Sequence, residues 1–305
     1  MNRLLCCVAI GLFSLRCALS LGAEAVPVDK GKSLSPGAGR FDFSHADKTV
    51  PVWYYVPAEA RADTPVLIVM HGVGRDASRY RDDWVPYAQK LHFMVVVPEF
   101  SVAAFPGSAA YAQGGTVDAK GHALPRAQWA FSFIEPIFDA FKAATGNRSE
   151  RYFLYGHSAG AQFVHRYLYF VPEARVAKAV AANAGWWTLP DPAVNFPYGL
   201  HGSAVESAAL KTALQRPLIV LLGTADTDPE AENLRKTPEA LAQGPNRLTR
   251  GHTFFDAGKH RAETLGVPFG WQLALAPGIG HKDGGMATFA APLLFDHSVV
   301  SGVVK

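Results

Sequence analysis

Tyr152–Leu168 reads YFLYGHSAGAQFVHRYL. A short apolar run stops at Gly156, and an amphipathic stretch opens just after Gly160. Between them stands one hydroxyl, Ser158, with a glycine two positions away on each side. The pattern places a serine at the junction of a strand and a helix. A serine hydroxyl is a weak nucleophile unless a base lies within hydrogen-bond reach and a third group orients that base. A tight strand-to-helix turn lifts the hydroxyl clear of the sheet, and a bulky residue two places away on either side would collide with the neighbouring strand and helix. G-x-S-x-G alone arises by chance in roughly one chain in ten of this length, so its flanks must carry the reading.

The flanks do so. Apolar, β-rich runs alternate with helical patterns along the chain: Val50–Pro57, Pro65–Gly72, Met94–Phe100, Val176–Gly185, Pro217–Asp226 and a last strand from Trp271 read as strands. Tyr80–Phe93, with Pro86 near its first turn, and Ala127–Gly146, kinked at Pro136, read as helices, and a closing helix follows Met286. Strand–helix alternation of this kind predicts an α/β fold: a mostly parallel central sheet with helices on both faces. In such sheets ligands bind beyond the carboxyl ends of the strands, so partners for Ser158 are sought there.

His281 follows the strand WQLALAP in a glycine-rich loop, GIGHKDGG, and is the expected base. The acid should follow the preceding strand, where LIVLLGTADTD offers Asp226 and Asp228. Asp226 is favoured because it comes nearer the strand end, whereas Asp228 precedes Pro229 and suits a helix cap. The amides of Ala159, next to the serine, and of Val73, in the loop MHGVGRD, are the expected oxyanion donors. Phe105 and Tyr111 in one loop, and Trp186 and Trp187 in another, are the expected substrate contacts. They imply an aromatic, uncharged rim suited to an ester with an apolar acyl part.

The start of the chain reads as an export signal: Arg3, then LLCCVAIGLFSL, then Ala23-Glu24-Ala25, with cleavage expected after Ala25. The apolar run is too short for a membrane span, so no integral membrane segment is expected after cleavage. All three cysteines, Cys6, Cys7 and Cys17, lie within that segment. Residues 26–305 contain no repeat, charge run or linker and read as a single catalytic domain of an exported protein, periplasmic or secreted. A net charge of +3 implies no nucleic-acid partner. No metal-ligating, phosphate-cradling or dinucleotide motif occurs, so neither a metal nor a cofactor is expected. Nothing in the sequence speaks to the oligomeric state.

Taken together, HG after one strand, GHSAG, G-x-x-D after a later strand and a glycine-flanked histidine before the final helix resemble the α/β-hydrolase superfamily over nearly all of the mature chain. The HGVGRD loop and the GTAD…PGIGH pairing resemble the exported esterase and poly(3-hydroxybutyrate) depolymerase-like group. The resemblance implies a serine hydrolase acting on small or polymeric carboxylic esters through Ser158, His281 and Asp226. The disulfides and the appended polymer-binding domain common among extracellular depolymerases have no counterpart in the mature sequence. The alternatives are a peptidase on the same fold, or a binding protein that kept the fold and lost catalysis.

Overall fold

The computed structural model describes residues 33–118 and 120–296. The expected signal segment, 1–25, and His297 lie outside the described residues. Eight strands form one sheet: β1 (Gly37–His45), β2 (Lys48–Val56), β3 (Val66–Met70), β4 (Met94–Pro98), β5 (Tyr152–His157), β6 (Val176–Ala182), β7 (Leu218–Gly223) and β8 (Trp271–Ala276). Their order across the sheet is β1-β2-β4-β3-β5-β6-β7-β8. β2 runs antiparallel to both neighbours, and every pairing from β4 to β8 is parallel.

Alternation along the central strands divides the core in two. Val66, Ile68 and Met70 of β3 face one apolar cluster, while Leu67 and Val69 face the other. The second cluster is closed by Trp84 and Ala88 of helix α1 (Ala77–Leu91) and by Met286, Ala290 and Leu294 of the closing helix, Asp283–Phe295. The first is larger. Beyond a single helical turn, α2 (Gly107–Ala110), it receives Ile137 and Phe141 of α3 (Ile134–Thr145) and Phe163 and Tyr167 of α4 (Ala159–Phe170). It also takes Leu210 and Leu214 of α5 (Ser207–Gln215). After the short α6 (Pro238–Ala242), Phe254 of α7 (Arg247–Leu265) completes it; Asp283–Phe295 is α8. Both sheet faces are therefore covered, which is why β3, β4 and β7 read as unbroken apolar runs.

Three local readings change. α1 begins at Ala77, three residues earlier than expected, because the Asp76 side chain accepts a hydrogen bond from the Arg79 amide and caps the helix. Pro86 thus lies inside α1, on an exposed position opposite the buried Tyr80 and Trp84. The stretch before α3 forms two 3₁₀ turns, Arg126–Gln128 and Ala130–Phe133, rather than helix. Pro136 then falls in the first turn of α3, where a missing amide leaves no bond unmade, so it has no reason to kink the helix. The polar edge strand β1 carries no apolar run and escapes a search for buried strands.

Candidate active site

Ser158 stands between β5 and α4 with φ 58° and ψ −115°, a backbone region that non-glycine residues avoid. The surrounding packing over-determines it. A Cβ at Gly160 would overlap the carbonyls of Met70 and His71 at the end of β3. One at Gly156 would overlap the carbonyl of Gly160 and the amide of Ala161. Both glycines are needed because strand, turn and helix run closer together than a side chain allows.

His281 Nε2 lies 3.0 Å from Ser158 Oγ, and His281 Nδ1 lies 2.8 Å from Asp226 Oδ2. The buried carboxylate therefore orients the ring so that Nε2 faces the hydroxyl. The structure brings Asp226 to this position and not Asp228, which stays exposed and accepts a hydrogen bond from the Glu230 amide. Val73, Ser158 and Ala159 border one cavity of about 360 Å³.

Two of the four expected aromatic contacts, Tyr111 and Trp186, line that cavity. The other two do not. Trp187 stacks on Phe254, with ring centroids 4.3 Å apart, and is fully buried in the core. Phe105 packs against Phe100 and Phe133, also out of the cavity. The two tryptophans lie in irregular backbone past β6, and only Trp186 reaches the opening. The expected uncharged rim is corrected as well: Arg75, Arg235 and Arg247 line the cavity, and no aspartate or glutamate does. These arginines come from three separate loops and helices, and only folding gathers them.

Known proteins place the chain. Poly(aspartic acid) hydrolase-1 from Sphingomonas sp. KT-1 is 46% identical, with 86% of this chain and 100% of that one superposed at a TM-score of 0.84. The chain belongs to the α/β-hydrolase superfamily. Within it the chain falls in the esterase group. LpqC, a poly(3-hydroxybutyrate) depolymerase from Bordetella parapertussis, is 36% identical over 86% of this chain and 91% of its own, with a TM-score of 0.82. An S-formylglutathione hydrolase from Agrobacterium tumefaciens is 16% identical with a TM-score of 0.55, covering 87% of this chain and 96% of its own, and shares the fold alone. Among curated proteins, a terpene cyclase/mutase of Arthrinium sp. is 29% identical over 172 residues, which make up 53% of this chain. The chain spans only about a fifth (21%) of that relative. No family model matches the sequence.

Several further residues that the sequence motifs do not mark surround Ser158, His281 and Asp226. Arg247, the first residue of α7, is buried with its Nη1 3.3 Å from Asp226 Oδ1. It sits there because the Asn246 side chain caps α7 and the Leu248 amide donates to the Asp226 carbonyl. Asn183, just past β6, is buried with φ 50°. Its side chain accepts from the Gly223 amide at 2.8 Å and donates to the Gly280 carbonyl at 3.2 Å. One amide group therefore ties the loop carrying Asp226 to the loop carrying His281. A polar residue directly after a strand, in a run otherwise of alanine and glycine, was the signal available for it.

Behind His281 lies a buried polar group. The His157 ring centroid is 4.7 Å from that of His281, and His157 Nδ1 is 3.1 Å from the Tyr80 hydroxyl. Tyr155 donates to Asp283 Oδ1 at 2.9 Å. Burial pushes the Asp283 carboxyl up to about 7, and the Tyr155 bond opposes it. Burial, with His281 and Arg247 adding to it, holds His157 neutral.

His71 is neutral too, pushed down to about 3 by burial. Its Nε2 accepts from the Phe100 amide at 3.0 Å, which fixes Nδ1 as the protonated nitrogen facing the Gly72 carbonyl. Arg75 donates to the carbonyls of Phe100, Phe105 and Gly107 and lies over the Tyr111 ring. These bonds hold the loop that carries Val73 against the loop that carries Tyr111.

Proposed function

We propose that the chain hydrolyses carboxylic esters through an acyl-enzyme, with Ser158 as nucleophile, His281 as base and Asp226 as the group that orients it. The observation that carries this is the continuous relay from Asp226 through His281 to Ser158, opening on a cavity. In the first half-reaction Ser158 Oγ attacks the ester carbonyl while His281 Nε2 takes its proton. The amides of Val73 and Ala159 receive the developing oxyanion. Collapse breaks the bond to the leaving oxygen, and His281 returns the proton to form the alcohol. Water then repeats the sequence: His281 takes its proton, hydroxide adds to the acyl carbon, and Ser158 leaves reprotonated.

Arg247 Nη1, 3.3 Å from Asp226 Oδ1, helps hold that carboxylate in place beside the imidazolium that forms in each half. A second reading, cleavage of amide bonds, is favoured by the 46% identical relative, whose named polymer is a polyamide. Export with cleavage after Ala25 belongs to the same proposal, on the strength of Arg3, the apolar run and the Ala23-Glu24-Ala25 site.

Hydrolysis of 4-nitrophenyl esters of rising acyl length, beside the matching 4-nitroanilides, tests the reading. A fluorophosphonate probe should label wild type and not the Ser158→Ala variant. Ester turnover that survives Ser158→Ala would remove Ser158 from the chemistry. Turnover of anilides at a rate comparable with esters would favour the amide reading. N-terminal sequencing of the exported protein should begin at Val26.

A further inference from the structure

One part of the cavity wall carries positive charge that no carboxylate among the described residues pairs with. Trp186, after β6, and Arg235, between β7 and α6, both line the cavity. The Arg235 guanidinium lies over the Trp186 indole at 4.8 Å from its centroid, and the Arg166 guanidinium of α4 lies over the same indole at 4.2 Å. Arg166 is fully buried and donates to the Thr188 hydroxyl and to the carbonyls of Ala112 and Gln162, while its Nη2 has no partner. Arg235 donates to the Tyr198 hydroxyl at 3.2 Å. Among the described residues neither pairs with a carboxylate, whereas Arg175 pairs with Glu135 and Asp139, and Arg261 with Asp191.

Two guanidinium groups on one ring repel each other. Burial, with Arg235 adding to it, pushes Arg166 down to about 9, which leaves it cationic at neutral pH. A pair of this kind is costly without an anion, yet the wall is built to hold it. Arg250 is buried and donates to the Gly185 carbonyl at 2.6 Å and the Arg235 carbonyl at 2.9 Å, tying the two segments together. Tyr198 packs at a tilt against Trp186, ring centroids 4.7 Å apart, and meets the Arg235 guanidinium with its hydroxyl.

We propose that this wall is a carboxylate subsite: the substrate carries an anionic carboxylate group away from the scissile bond, and Arg235, backed by Trp186 and Arg166, binds it. The inference rests on the hydrolase reading of Ser158 and names the substrate class of that site. A guanidinium half exposed on an aromatic face presents its planar edge to a carboxylate, which a lysine would not match.

The test uses 4-nitrophenyl monoesters of adipate, pimelate and suberate, each beside its methyl-capped twin. At low ionic strength the free carboxylate should raise kcat/KM about tenfold for at least one length, chiefly through KM. The excess should shrink with added salt, as a half-exposed charge pair requires. Arg235→Gln should collapse the ratio between twins, and Arg235→Lys should keep part of it. A ratio of one at every length, or a ratio that persists in Arg235→Gln, overturns the subsite and leaves the esterase reading standing.

Should no ester of either kind be turned over, it is the esterase reading that falls. Calorimetric titration of adipate and dimethyl adipate into Ser158→Ala then decides the subsite separately. Adipate binding that disappears in Ser158→Ala/Arg235→Gln supports it, and absence of adipate binding to Ser158→Ala overturns it.

Discussion

The Ser158 turn and the Trp186–Arg235 wall border one cavity and are built in different ways. The turn is local: five consecutive residues, two of them glycines, force a serine into a backbone conformation that only close packing against β3 sustains. The wall is assembled from α4, the end of β6, the loop before α6 and the first turns of α7, held together by buried arginines that bond carbonyls. The turn stores strain in the backbone, whereas the wall stores it as charge. Under the proposed function, the difference separates the bond-breaking part of the molecule, which short-range sterics specify, from the substrate-choosing part, which long-range packing specifies.

The sharpest way to test the first half is Ser158→Ala. It should lower kcat for a 4-nitrophenyl ester by about 10⁴–10⁶-fold while leaving the fold intact, as stopped-flow or plate kinetics and circular dichroism would register. Gly160→Ala should act on the fold instead. Its Cβ would drive into the β3 backbone, which cannot yield as a side-chain tip can. Urea unfolding should show a loss of about 3 kcal/mol or more, or no soluble protein. A neutral outcome would mean that the turn is looser than its contacts imply.

Arg247→Ala joins the two halves, since Arg247 lines the cavity and also faces Asp226. Leaving Asp226 buried without its cation should cost about 3 kcal/mol in unfolding free energy and reduce kcat. A variant with unchanged kcat would show that His281 alone holds the carboxylate in place.

The pH dependence of stability gives the smallest effect and two opposed signs. Burial holds His71, His157 and His165 neutral in the fold. Below the ordinary histidine pKa of about 6.5 the unfolded chain takes up protons that the fold refuses. Their contribution is therefore present above that pH and lost as pH falls. Asp283 runs the other way. Its folded pKa is raised to about 7, so its contribution is present at low pH and is lost as pH rises through 7.

The groups facing Asp283 include Tyr155, His157, Tyr80, Arg79 and Asp83. Asp283→Asn should thus gain stability relative to wild type as pH rises from 5 to 8, by about 2 kcal/mol. Urea melts at those two pH values check this, and a difference that does not change with pH would remove Asp283 as a buried titrating group.

Much of this was legible in the sequence, for identifiable reasons. The parallel sheet followed from apolar runs at strand length alternating with helical patterns, because a strand covered on both faces has nowhere to place polar residues. The structure brings Ser158, His281 and Asp226 together because each lies within five residues of a strand's carboxyl end, and parallel strands deliver those ends to one edge. The start of α1 and the 3₁₀ turns before α3 were misjudged because a side-chain cap and a proline in a first turn outweigh periodicity at helix ends.

What only the tertiary structure decided is which side chains face the cavity. Trp186 and Trp187 are chemically alike and adjacent, yet one borders the opening and the other stacks in the core. Arg166 and Arg235 are separated by a long stretch of chain and meet only on the Trp186 ring, and Arg247 reaches Asp226 only from the start of α7. The spacing of residues along a strand and through a turn is a property of the local backbone, so the sequence by itself determined the sheet and the order of the serine, acid and histidine. The charge of the pocket depends on which distant surfaces bury each other, and that is settled by packing.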